Sequence, residues 1–82
     1  MDHNRAAMRG RQAELKERQH SLRLRARGQL KQLVLTVNPS LHDIEEMEIP
    51  EAAAIMDNLV LIQAELLRIR DRLAELGEAL DG

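Results

Sequence analysis

The chain has 82 residues, a formal net charge of −2, and no cysteine, phenylalanine, tyrosine or tryptophan. Those absences exclude a disulfide scaffold, a thiolate metal centre and an aromatic platform for stacking bases. A chain this short forms one small domain and buries little surface on its own.

What remains is rich in Ala, Leu, Glu, Arg and Gln, the strong helix formers. With 32% charged residues, this composition points to a coiled coil or helical hairpin. The first thirty residues hold no apolar run of signal-peptide type. The longest apolar stretch, "AAAIM" then "LVLI", is broken by Asp57 and Asn58 and is too short to span a bilayer. The lack of cysteine fits a reducing cytoplasm, which is the expected compartment. Charge is segregated along the chain. Residues 1–36 carry nine Lys/Arg against three acids, and residues 37–82 carry three Arg against eleven acids. The two halves can pair with each other, or the basic one can seek an outside anion.

Helix 1 is expected over about 5–36. Met8, Leu15 and Leu22 recur every seven residues, as the d column of an a–g heptad. Gln12, Gln19 and Ala26 form the a column. After Ala26 the apolar stripe continues through Leu30, Leu33 and Val37, which requires a stutter, with Gly28 beside it as a candidate bend. "SLRLRAR" and "QLVLTV" also alternate as strands do, so a β-hairpin within 21–37 is the competing reading. An isolated hairpin is marginal, and "RQAELKERQH" runs into the segment without a breaker, so helix is preferred.

The segment at about 37–49 is an elbow. Asn38 before Pro39 stops helix 1, and Ser40 with Asp43 resembles a capping box. Leu41, Ile44 and Met47 recur every three residues and suit a short helical turn lying over the bundle end. Asp43, Glu45, Glu46 and Glu48 make the elbow acidic.

Helix 2 is expected over about 50–79. Its a column reads Ala52, Leu59, Leu66, Leu73, Leu80 and its d column Ile55, Ile62, Ile69, Leu76. Such a faultless heptad run specifies a coiled-coil-like helix. Pro50 and Glu51 suit its first turn, and Gly77 or Gly82 its end. Met56, Val60, Leu67 and Ala74 add a second stripe that one seam leaves wet. Burial against two or more neighbours, as in a four-helix bundle, removes it from water. Leu at a with Ile at d also favours assemblies above a parallel dimer.

In this register Arg9, Lys16 and Arg23 occupy e, and Arg11, Arg18 and Arg25 occupy g. Two copies of helix 1 would set like charges against each other, so helix 1 needs an anionic neighbour. Folding the chain back puts Arg9 near Glu78, Arg11 near Glu75, Lys16 near Asp71 and Arg23 near Glu65. Those six cations are also the candidate contacts for an acidic protein or, less favoured, a nucleic acid.

Catalytic motifs are absent. His3, His20 and His42 have no metal-ligand spacing, and Ser21, Thr36 and Ser40 lie in no nucleophile motif. His42 beside Asp43 reads as a solvated pair. The expectation is a non-enzyme with no metal, cofactor, small-molecule substrate or membrane contact.

The stretch from "LVLTVNPS" through "IEEMEIPEAAAIMDNLVLIQAELLRIRDRLAEL", about residues 30–76, resembles small helical proteins of Mu-like prophages. The resemblance implies a bacterial or phage cytoplasmic accessory protein and carries over no functional residue. The sequence thus predicts an all-α protein, a single domain over 1–82. It is an antiparallel, coiled-coil-like hairpin that self-associates into a dimer or tetramer. Ile55, Leu59, Ile62, Leu66, Ile69, Leu73 and Leu76 are its candidate oligomer core.

Overall fold

Two long helices joined by an elbow make up the computed structural model, which describes residues 2–81. Helix α1 spans Asp2–Thr36 and helix α2 spans Ile49–Asp81, with a 3₁₀ turn at Ile44–Glu46 between them. They pack antiparallel into a rod of 63 × 15 × 15 Å with a radius of gyration of 18.4 Å. A compact chain of this length has a radius near ~12 Å, so one layer of contact is all that the hairpin supplies.

The interior is the heptad seam. Leu15 and Leu22 of α1 pack with Ile62, Ile69 and Leu76 of α2, and Met8, Ala26, Leu66 and Leu73 are partly buried around them. Ile55 and Ala52 are buried nearer the elbow. At the centre of the seam the d positions of both helices are therefore the deepest, and Ala26, Leu66 and Leu73 of the a columns form the rim.

Helix α1 is continuous through 21–36, as preferred from the sequence, and the competing β-hairpin does not form. Two features differ from the sequence reading. The stutter is absent. After Ala26 the half-buried positions are Gln29, Leu33 and Thr36, which keep the steps of three and four, while Leu30 is exposed. The chain keeps one helical register and accepts a polar residue in the seam. Its consequence is an amide oxygen, Gln29 Oε1, that is buried without a hydrogen-bond partner. An unsatisfied buried acceptor costs about 1–3 kcal/mol. Gln29→Leu is therefore expected to stabilise the protein by about 1–2 kcal/mol in urea unfolding, and an unchanged or lowered midpoint would argue against this account. Gly28 lies inside the helix without a bend-forming backbone, and a Cβ there meets nothing within 4 Å. Gly28→Ala should raise the thermal midpoint through helix propensity, by about 0.5–1 kcal/mol.

The second difference is the elbow. The 3₁₀ turn has Asp43 at its N-cap with no side-chain cap hydrogen bond, so the Ser40–Asp43 box does not form. Instead the Ser40 backbone N–H donates to Asn38 Oδ1 at 2.9 Å, an Asx turn. Leu41 and Ile44 are exposed and only Met47 is half-buried, so the expected apolar cover over the bundle end is missing. Pro50 falls in the first turn of α2, where the N–H it lacks has no helical acceptor. At the far end α2 runs through Gly77 to Asp81, and Arg5 Nη2 donates to the Leu80 carbonyl at 2.6 Å. That contact satisfies a last-turn carbonyl and sets a cation at the negative helix end.

Candidate interaction surface

In an antiparallel pair, g faces g and e faces e, so the seam has two distinct flanks. The g flank is charged. Arg11, Glu14, Arg18, Glu65, Arg68 and Arg72 line one shallow hollow, and Arg25, Gln29, Asn58 and Leu61 continue it towards the elbow. Its centre is a bidentate pair: Arg18 Nε donates to Glu65 Oε2 at 2.6 Å and Nη2 donates to Oε1 at 3.2 Å. Nearer the elbow, Gln32 Nε2 donates to Glu51 Oε1 at 3.1 Å.

These two contacts fix a register about one helical turn away from the one expected. Among the described residues, the Arg9–Glu78, Arg11–Glu75, Lys16–Asp71 and Arg23–Glu65 pairs do not form; Glu65 takes Arg18 instead. The reason is heptad position. Asp71 and Glu78 sit at f and Glu75 at c, outside the seam, while Arg70 and Arg72 hold the e and g sites. Arg11 pairs within its own helix with Glu14, and Arg72 with Glu75. Arg9, Lys16, Arg23 and Arg25 make no ion pair among the described residues.

The Arg18 hydrogen bonds hold the Glu65 carboxyl below the ordinary glutamate range, against a partial desolvation that pushes the other way; the charges of Arg18, Arg68 and Arg25 add to the lowering. The same pair raises Arg18. A carboxyl with a folded pKa below its unfolded one stabilises the fold above the unfolded pKa. That contribution is lost as pH falls through the folded value. Glu65→Gln should thus be destabilising at neutral pH and converge on the wild type in acid. A stability gap that persists undiminished at about pH 2 would contradict the ion pair as its source.

The e flank is apolar towards the elbow. Ala26 and Leu30 of α1, with Met56, Leu59, Val60, Ile62, Gln63 and Leu66 of α2, line an open groove there. It belongs to a broader feature. Among the described residues, every exposed large hydrophobic residue lies between Leu24 and Leu67, among them Val34, Leu35, Leu61 and Leu67. Exposed large hydrophobic residues therefore gather towards the elbow, interspersed with exposed charges such as Arg27, Lys31, Glu51 and Asp57. Each of Met56, Val60, Leu67 and Ala74, the second stripe of α2, is exposed.

The candidate oligomer core divides differently. Ile55, Ile62, Ile69 and Leu76 are buried, and Leu66 and Leu73 pack against the same cluster. These side chains are used inside the hairpin. Leu59 is the member of that set outside this buried cluster, and with Ile62 and Leu66 it lines the e-flank groove. The second stripe, which the sequence already shows at heptad positions e and b, is what remains to meet a neighbour.

Among the described residues, no group of three or more His, Cys, Asp or Glu is placed to hold a metal ion, and no helix is long and apolar enough to cross a membrane. His42 lines a shallow hollow with Gln32, Leu35, Thr36, Glu46 and Glu48. No family model, curated protein or solved structure matches the chain. The class that the fold defines is the antiparallel helical hairpin.

Proposed function

We propose that the protein is a non-enzymatic interaction protein that self-associates through the elbow half of the hairpin, in an accessory role of the kind the prophage resemblance implies. One observation carries this reading: among the described residues, the exposed large hydrophobic side chains are confined to residues 24–67. Scattered exposed leucines are ordinary on a protein surface, whereas a contiguous apolar region signals a contact. The seam is already filled by the d columns, so the exposed stripe is surplus to folding. Sedimentation equilibrium over a range of concentrations tests the proposal, with a dimer or tetramer as the expected result. A monomer at every concentration overturns it.

A second reading has its own support. Arg11, Arg18, Arg25, Arg68 and Arg72 gather on the g flank against only Glu14, Glu65 and Glu75. This surplus suits an acidic protein segment or a nucleic-acid backbone. Binding to DNA or RNA that weakens steeply with salt would favour this reading, and no gel shift at low salt would remove its nucleic-acid form.

A further inference from the structure

Resting on the second reading above, we infer that the g flank is a docking site for an acidic α-helix of another protein. That helix lies along the hollow between α1 and α2. Its carboxylates recur every seven residues and meet Arg11, Arg18 and Arg25 of α1 and Arg68 and Arg72 of α2.

In the register of the Arg18–Glu65 and Gln32–Glu51 contacts, the other g positions place Arg11 opposite Arg72 and Arg25 opposite Asn58. An antiparallel hairpin gains from opposite charges at such facing positions and loses from like ones. Here one facing pair sets cation on cation, and another sets a cation on a neutral amide. Anions are not scarce, because Asp57, Asp71 and Glu78 lie at f on the outer face of α2. Arg11 and Arg72 lean on Glu14 and Glu75 of their own helices, at 3.3 and 3.0 Å. These exposed pairs cost little to open. Arg25 and Arg68 make no ion pair among the described residues. A flank whose charges oppose its own fold is where function, rather than stability, has set the sequence.

The period of the cations selects the ligand. Arg11, Arg18 and Arg25 recur every seven residues, a step of ~10.5 Å along the axis. Another α-helix repeats its carboxylates at the same step. A duplex carries a phosphate every ~3.4 Å along each strand and presses some of them onto Glu14, Glu65 and Glu75, which stand among the arginines. A helix can set a neutral residue opposite each of those glutamates. The floor of the hollow is apolar, formed by Leu15 and Ile69, and suits a small aliphatic side chain. The chain has no aromatic residue to stack a base. A second copy fits less well. Its f column on α2, Asp57, Ala64, Asp71 and Glu78, lacks one carboxylate in the middle. A copy seated by that face would leave its own g flank open to the next, and the assembly would grow without closing.

The probe is a fluorescent synthetic helix of about 21 residues, long enough to pass Arg11 and Arg25 together. It carries heptad-spaced glutamates on one face among alanine and glutamine. Its control has the same composition in shuffled order. With the full chain, fluorescence anisotropy is expected to show the heptad peptide bound about 10-fold tighter than the control, with affinity falling as salt is added. Arg25→Gln combined with Arg68→Gln should weaken that binding by about 10-fold and leave the circular dichroism melt unchanged. Arg27→Gln, at an exposed b position of α1, should leave the binding unchanged. Equal binding of the two peptides overturns the inference, as does full affinity in the double variant. Tighter binding of DNA than of the heptad peptide also overturns it, while leaving the charged-flank reading standing. Loss of self-association in the double variant makes the occupant a second copy and overturns it as well. Binding of neither peptide nor DNA overturns inference and reading together.

Discussion

Truncating Leu22 to alanine is expected to melt most of the hairpin. Leu22 is only 2% exposed, the deepest side chain among the described residues, and it packs between the helices in the seam. A buried Leu→Ala change costs about 2–5 kcal/mol, part lost transfer energy and part residual cavity. A chain of this size holds only ~4–12 kcal/mol of stability in total. The helices have little to fall back on, because α1 draws its stability from tertiary packing and contains Gly10 and Gly28. Loss of the seam and loss of helix are thus one event. Far-UV circular dichroism with a urea titration reads it, and Leu61→Ala is the control. Leu61 is 68% exposed, and its truncation should move the midpoint by no more than about 0.5 kcal/mol. Equal effects of the two substitutions would contradict the seam described here.

The contrast between those two leucines shows where sequence pattern informs and where it stops. The heptads of α2 identify Ile55, Ile62, Ile69 and Leu76 as the deepest column, and the seven-residue spacing of Leu15 and Leu22 does the same for α1. Periodicity suffices there because a side chain's face follows from its place in the turn. What pattern leaves open is whether a stripe is buried by its own chain or by another. Those isoleucines read equally well as an oligomer core, and only the packed hairpin shows them facing α1. In the second half of α1 the apolar residues misled. Leu30 and Val37 suggested a shifted stripe, yet shifting register would have broken a continuous helix for two side chains. The fold keeps Gln29 and Thr36 in the seam and leaves Leu30 outside, where it joins the e-flank groove. The ion pairs failed for a related reason. Opposite charges in two halves of a chain say that attraction is available, but heptad position decides which groups reach the seam. Glu65 does, whereas Asp71 and Glu78 do not. That signal is present in the sequence, at g for Glu65 and at f for the other two.

The second large effect concerns the surface rather than the seam. Val60→Lys combined with Leu67→Lys is expected to weaken self-association by about 100-fold while leaving the hairpin folded. Both positions fall at b of the α2 heptad, both are exposed in the single chain, and neither belongs to the seam cluster. Each apolar side chain of this size contributes about 1.5–3 kcal/mol when fully buried, and partial burial at an interface yields less. A combined loss near 3 kcal/mol corresponds to about two decades in dissociation constant. Two added ammonium groups per chain also resist burial at an interface. Helix content should stay the same, because lysine is as good a helix former as the residues replaced. The pair of readouts separates the alternatives. Dissociation with intact circular dichroism locates the interface on the second stripe. Dissociation accompanied by melting means that α2 has no stable folded monomer, and the association core then includes the seam. Unaltered association moves the contact to the g flank, where Arg18 and its neighbours would be the residues to change next.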